Sequence, residues 1–302
     1  MQLLAPFIGV LTCIFMLAIL QLIFVALLPG IFLRCLPWHT LQRAGARWCV
    51  RVARAWVCMD GGVYRCLHRV PGPGYGQVQL RGLLDPQKSY LLISNHQSWA
   101  DILILFDVFG GQVPFLRFFM KRDLLWVPII GVACWAMDFP FMRRYSKEAI
   151  AKNSALAEED LRTTRKACEI YRLDPVTVVN FPEGTRVSAA KRLARGSPFG
   201  HLLRPKAAGL SFTLSAMGEQ FAGIIDVTLV YQDHGKNLLW SWLCGQQADV
   251  KVIVDVLTPP AELLAGDYAH DETFRNRFQD WLNGLWASKE ERLNKAVESR
   301  RG

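Results

Sequence analysis

Hydrophobic and polar positions divide the 302-residue chain into three stretches. From Met1 to Leu33 no side chain carries a charge, and residues 3–28 are almost wholly apolar. At about 1.5 Å per residue such a run reaches about 40 Å as a helix, enough to cross a hydrocarbon layer of roughly 30 Å. Pro29-Gly30 is expected to end it. Residues 41–59 then show a helical period, with Trp48, Val52, Ala55, Trp56 and Met59 on one face and Arg43, Arg47, Arg51 and Arg54 on another. Beyond the breaker Pro71-Gly72-Pro73-Gly74, β-rich runs alternate with helical ones. Strands are expected at 77–81, 90–94, 114–119, 176–181, 223–231 and 249–256, and helices at 99–108 and 154–171. The pattern predicts an α/β fold, a layered mixed sheet flanked by helices, preceded by an N-terminal membrane helix or helical hairpin. The organisation expected is residues 1–70 as membrane anchor and basic amphipathic helix, and 75–302 as catalytic domain with a C-terminal helix.

Two further apolar stretches fit into that domain. Residues 124–137 are nearly continuous but too short to span, and Pro128 and Gly131 interrupt them, so core packing is expected, with lining of an apolar groove as the alternative. Phe274, Phe278, Trp281, Leu282 and Leu285 have helical spacing and are expected to pack on the domain. The basic tail from Lys289 reads as a solvated helix end.

Charge adds an orientation. Arg34, Arg43, Arg47, Arg51, Arg54, Arg65 and Arg69 crowd behind the apolar run with Asp60 as the sole acid, which places the body on the cytoplasmic side. A basic helix carrying tryptophans suits an anionic membrane surface. The apolar run lacks a basic n-region and an A-x-A-like site, so it is expected to be retained rather than cleaved. The formal net charge of +9 raises nucleic acid as a partner, but no nucleic-acid motif is present, and anionic lipid with a phosphorylated substrate explains the charge better. Eight scattered cysteines without a C-x-x-C pair read as reduced thiols. His39, His68, His201, His234 and His270 are isolated, so no metal site is expected.

Two motifs carry candidate chemistry. In His96-Gln97-Ser98-Trp99-Ala100-Asp101 a continuous helix would put His96 and Asp101 on different faces, so the backbone must bend. Ser98 is expected to cap the next helix with Asp101 at its third position, leaving the His96 ring free to swing back over the first turn. A histidine donating one ring nitrogen to a carboxylate keeps the other as a proton acceptor. The bland reading is a capping box beside a loop histidine. No Gly-x-Ser-x-Gly elbow supplies a protein nucleophile, so the substrate's own hydroxyl is the economical one. In the second motif, Phe181-Pro182-Glu183-Gly184-Thr185-Arg186 follows a β-branched strand. Gly184 permits a tight turn, Thr185 and the turn amides offer hydrogen bonds, and Arg186 brings a donor fork suited to phosphate. Glu183, among cations, is expected to hold Arg186 or another arginine in place.

In order and separation these motifs resemble the first and third sequence blocks of the glycerophospholipid acyltransferases, the family of bacterial 1-acylglycerol-3-phosphate acyltransferase. Gly131 with Phe139-Pro140-Phe141-Met142-Arg143-Arg144 takes the place of the second block, although Arg143 stands where the family carries an acid. Leu203-Arg204-Pro205-Lys206-Ala207-Ala208-Gly209-Leu210 is similar to the lysocardiolipin-acyltransferase-like branch, and residues 224–231 occupy the place of a fourth block. The resemblance implies His96 as general base and Asp101 as its orienting partner. It implies that Arg144 and the cradle of Glu183, Gly184, Thr185 and Arg186 bind the acceptor. It also implies no cofactor, with acyl-CoA or acyl-carrier protein as donor and a lysophospholipid as acceptor. The activity implied is acylation of the sn-2 hydroxyl of lysophosphatidic acid at the cytoplasmic face of a bacterial inner membrane. Acylation of another lysophospholipid, and a non-catalytic membrane-binding protein that keeps the fold, are the alternatives.

Overall fold

The computed structural model describes residues 4–68, 78–142, 162, 168–169, 171, 174–231, 237–246, 250–264, 266–268 and 270–298. The breaker at 71–74, Arg143, Arg144 and most of the helix expected at 154–171 lie outside the described residues.

The uncharged N-terminal run forms helix α1 (Ala5–Cys35), with Pro6 in its first turn, where a missing N–H removes no hydrogen bond. Contrary to expectation the helix continues through Pro29-Gly30. Packing against α2 (His39–His68) explains why. A Cβ at Gly30 would lie 2.5 Å from Cys49 Sγ, and one at Gly45 would lie 2.5 Å from Gly30 O, so two glycines let the helices touch backbone to backbone. Trp48 Nε1 donates to Ala26 O at 2.9 Å in the turn before the proline. The buried stripe of α2 is therefore made of small residues, Gly45, Cys49 and Ala53, while Trp48, Ala55 and Met59 of the expected apolar face stay outward. Arg43, Arg47, Arg51 and Arg54 are exposed as expected.

All six expected strands form. Strands β1 (Val78–Arg81), β2 (Ser89–Ser94), β3 (Leu116–Phe118), β6 (Thr177–Asn180), β7 (Phe221–Val230) and β8 (Lys251–Leu257) make a mixed sheet in the order β1-β8-β7-β2-β6-β3. Strands β4 (Met120–Lys121) and β5 (Phe141–Met142) pair separately. Central β2 runs parallel to both β6 and β7, so the carboxyl ends of all three open on one edge of the sheet. Its residues are buried on both faces, which is why the run Tyr90-Leu91-Leu92-Ile93 is continuously apolar. Tyr90 and Leu92 point to one core, Leu91 and Ile93 to the other.

The remaining helices are α3 (Ala100–Phe109), α4 (Ile130–Ala136), α5 (Ala189–Ala194), α6 (Ala208–Met217), α7 (Leu238–Leu243) and α8 (Glu272–Glu298). On one face of the sheet, α3 packs with both N-terminal helices, and Ile23, Leu27, Cys49, Ala53 and Tyr64 share a core with Leu92 and Ile104. On the other, α8 buries Phe274, Phe278, Leu282, Trp286, Lys289 and Leu293 in one stripe. Lys289 is thus a fully buried residue and not part of a solvated tail. Its ammonium pairs with Asp226 Oδ1 at 2.5 Å beneath β7, and Arg292 bridges Asp226 and Asp255 at 3.2 and 2.5 Å. The signal was available, because position 289 continues the stripe three residues after Trp286.

The body grips α1 at both ends. Near its start, Gly9 abuts Cys244 and Trp240 of the α7 region, and near its end Arg34 pairs with Asp138 at 2.7 Å. These contacts are 25 residues apart, about 37 Å along a helix. The run 124–137 splits into two parts. Gly131, Cys134, Ala136 and Met137 face inward as expected, whereas Trp126, Val127, Ile130, Val132 and Trp135 remain exposed.

Because backbone contact between the helices leaves no room for a side chain, Gly45→Leu should destabilise the protein by about 1–3 kcal/mol. Chemical unfolding in detergent checks this, with the exposed Arg51→Ala as control; equal losses in the two variants would contradict the close crossing.

Candidate active site

The loop after β2 is held to β7 before it reaches His96. Asn95 spans the strand end with both halves of its amide, donating to Leu229 O at 3.0 Å and accepting from Leu229 N at 2.8 Å. Gln97 Nε2 reaches the same carbonyl at 3.3 Å. His96 therefore leaves the sheet from a fixed point. Its ring bends back as expected, and Nδ1 lies 2.8 Å from Asp101 Oδ2.

Asp101 is fully buried in the first turn of α3, and its charge is met by hydrogen bonds on every side. Oδ2 also accepts from the amides of Gln97 and Ser98 at 2.6 and 3.0 Å, while Oδ1 accepts a short hydrogen bond from the Tyr231 hydroxyl. The N-cap of α3 is Trp99 and not the expected Ser98, so Asp101 is the second residue of the helix and not the third; the Ser98 hydroxyl still accepts from Ala100 N at 3.2 Å, and its amide donates to the Asp101 carboxylate. A carboxylate with four donors stays an acceptor, so His96 Nδ1 carries the hydrogen of the pair, and the neutral form of the ring then offers Nε2 as the acceptor. The Phe181 ring stacks on the imidazole with centroids 4.1 Å apart, fixing its plane.

The second motif comes from the end of neighbouring β6, and the parallel register brings it to the same rim. Gly184 adopts φ 69°, the left-handed region that favours glycine, and closes a turn from its amide to Phe181 O at 2.9 Å. Glu183 does not hold Arg186, in contrast to the expectation. It is fully buried and accepts from the amides of His96 at 3.2 Å and Leu203 at 3.1 Å, tying three loops together. Burial pushes its carboxyl up from the usual 4.5 to about 8, against the pull of the two amides and of Lys289, while Asp101 adds to the rise. The His96 carbonyl accepts from Val187 N at 2.9 Å, so both backbone groups of the histidine are bound to the second motif.

Cations surround that turn. Lys191 Nζ donates to Thr185 Oγ1 at 2.9 Å and to Arg186 O at 3.0 Å, and Arg195 reaches Glu183 O at 3.3 Å. Arg186 is exposed, its guanidinium lying over the Trp99 ring at 5.1 Å, and among the described residues it makes no ion pair. His96, Asp101, Glu183, Gly184, Thr185 and Arg186 are thus assembled on one edge of the sheet, whereas Arg144 lies outside the described residues. Thr185 is engaged by Lys191. Tyr231 and Asn95 were not foreseen as members of the site. Asn95 directly precedes the histidine, and Tyr231 is the one phenol at the end of the strand expected at 223–231, so an apolar run ending in a hydroxyl was the available hint. Among the described residues no group of three or more His, Cys, Asp or Glu could hold a metal ion.

A family model described as Acyltransferase matches residues 77–232, the part of the chain that contains both motifs. The chain belongs to the Acyltransferase family. It is 36% identical over 117 residues to the 1-acyl-sn-glycerol-3-phosphate acyltransferase alpha of Homo sapiens, a match covering 37% of this chain and 36% of that protein. It is 24% identical over 247 residues to the 2-acyl-1-lysophosphatidylinositol acyltransferase of Saccharomyces cerevisiae, covering 66% of this chain and 59% of that one. The matched part spans only about a third of the length of the human relative. A solved structure of the 1-acyl-sn-glycerophosphate (LPA) acyltransferase PlsC from Thermotoga maritima covers 92% of this chain and 98% of its own, at 14% identity and a TM-score of 0.44.

Tyr231→Phe removes one donor and leaves Asp101 Oδ1 buried without it. If His96 acts as a base, turnover should fall about tenfold with KM for the hydroxyl-bearing substrate unchanged, as steady-state kinetics would show; a rise in KM alone would detach Tyr231 from the work of the His96–Asp101 pair. For Glu183 the pH dependence has a definite sign. With its carboxyl raised from 4.5 to about 8 in the folded state, the native protein binds the extra proton, so this group's stability contribution is lost as pH rises through that window. Denaturant midpoints of wild type and Glu183→Gln should diverge across it, with wild type losing relative stability towards high pH.

Proposed function

We propose that this acyltransferase moves a fatty acyl group from a thioester donor, acyl-CoA or acyl-carrier protein, to the free sn-2 hydroxyl of lysophosphatidic acid. The observation that carries the reading is the pairing of an acceptor nitrogen, His96 Nε2, backed by Asp101 at 2.8 Å, with an exposed guanidinium, Arg186, stacked on Trp99 three residues further along the same loop and helix start. The acceptor's phosphate binds Arg186, which holds the hydroxyl against the imidazole and makes the encounter effectively unimolecular. His96 Nε2 takes the hydroxyl proton as the oxygen attacks the thioester carbonyl carbon. Asp101 stabilises the imidazolium. As the tetrahedral centre collapses, the new C–O bond remains, the C–S bond breaks, and the thiolate leaves with the proton returned by His96. Arg144, at the place of the second block, is assigned to the same phosphate on the strength of the sequence resemblance.

Membrane association belongs to the same proposal. Helix α1 carries a mean hydropathy of 2.8 over its most apolar window, of which 22% is buried in the protein. A body that grips both ends of α1 cannot sit on one side of a bilayer that the helix crosses, so the hairpin lies within one leaflet, with the arginines of α2 at the anionic head groups of the cytoplasmic side. A phosphate-free lipid acceptor has no use for Arg186. The yeast relative's name favours a second reading, in which the acceptor is another lysophospholipid, such as one with an inositol head group.

Purified protein given lysophosphatidic acid and acyl-CoA should form phosphatidic acid, and His96→Ala should abolish it. Arg186→Ala should raise KM for phosphate-bearing acceptors at least tenfold, about 1.4 kcal/mol, and leave phosphate-free ones nearly unchanged. A panel of lysophospholipids decides between the two acceptor readings, and release of free fatty acid without ester formation would refute both.

A further inference from the structure

The apolar segment that follows β4 turns several large side chains outward. Trp126 is 83% exposed, and Val127, Ile130, Val132 and Trp135 are also exposed, whereas the other face of α4 is buried. Ile129 and Asp138, which bracket α4, adopt φ of 67° and 60°, conformations that a β-branched residue in particular avoids, so the surrounding structure enforces this shape. At the far end, Arg34 of α1 pairs with Asp138 at 2.7 Å, donates to Trp135 O at 3.4 Å and lies over the Trp135 ring at 5.2 Å. Arg34 is the first charge in the chain.

We propose that the segment from Trp126 to Trp135 is a second lipid-contacting surface, a wedge that enters the outer part of the same leaflet as α1 and brings the rim of the sheet to the membrane surface. This rests on the membrane association proposed above. The patch is joined to the last turn of α1 through Arg34 and Trp135, and Leu28 and Phe32 in the last two turns of that helix are exposed as well. The charge on Arg34 marks the head-group level, and the pairing places Trp135 there, where an indole with one apolar body and one N–H donor is favoured. Lys121 and Arg122, exposed just before the patch, outweigh the exposed Asp123 beside them and match anionic head groups. An acceptor lying in that leaflet reaches His96 without leaving the lipid.

The test uses the full chain reconstituted in vesicles of phosphatidylethanolamine and phosphatidylglycerol, with and without brominated acyl chains. Bromine-dependent quenching of tryptophan emission should be smaller in Trp126→Phe than in wild type. Equal quenching in a protein that still enters the vesicles overturns the wedge and leaves the membrane reading standing, whereas failure of the wild type to enter the vesicles removes both. As a second readout, the double change Trp126→Asp with Ile130→Asp should lower turnover on vesicle-embedded acceptor on the order of tenfold and preserve turnover on the same acceptor in detergent micelles. Unchanged turnover in vesicles, or equal loss in both settings, contradicts the proposal. So does a dimer in detergent that this double change splits, because the patch would then belong to a second copy.

Discussion

A single carboxylate sets the arrangement of the site. Asp101 is fully buried, and an ionised group there is tolerable only because the His96 ring, two amides and the Tyr231 hydroxyl all donate to it. Those donors come from the loop after β2 and from the residue that follows β7, and Asp101 itself comes from the first turn of α3, so satisfying one charge requires three elements to meet at one place. The hydrogen on His96 Nδ1 follows from that requirement, and in the neutral ring it leaves Nε2 as the acceptor.

A second buried acid does for the backbone what Asp101 does for the ring. Glu183 accepts from His96 N and Leu203 N, and the Val187 amide returns a hydrogen bond to His96 O, so the two motif loops are joined through main-chain groups that any side chain could supply. Beneath them, Lys289 of α8 pairs with Asp226 on β7 and contributes favourably to the charge at Glu183. A buried pair of this kind adds little net stability over an apolar pair, but removing either partner leaves an uncompensated charge. The long C-terminal helix is thereby committed to one register against the sheet that carries the site.

The N-terminal hairpin has no separate core of its own. Small residues allow α1 and α2 to cross closely, and their inner faces continue into the core that supports α3 and thus Asp101. Tyr64 of α2 stacks on Trp242 of α7 with centroids 4.2 Å apart and donates to its carbonyl at 3.0 Å, which fastens the hairpin to the body near the end of β7. The apolar hairpin and the helix that carries Asp101 are therefore mechanically continuous.

Local pattern alone was sufficient for the strands, the apolar and arginine-rich helices, and the bent relation of His96 to Asp101, because each is governed by neighbours a few residues away in sequence: alternation, helical period and a capping turn. Local rules misled at Pro29-Gly30 and at Glu183. In each case a partner distant in sequence decided the outcome, Gly45 and Cys49 for the first and the amides of His96 and Leu203 for the second. The roles of Tyr231 and Lys289 belong to the same class. Their residue types were visible, but a buried phenol or ammonium acquires its function from the charge it faces, and only the tertiary structure brings Asp101 and Asp226 to them.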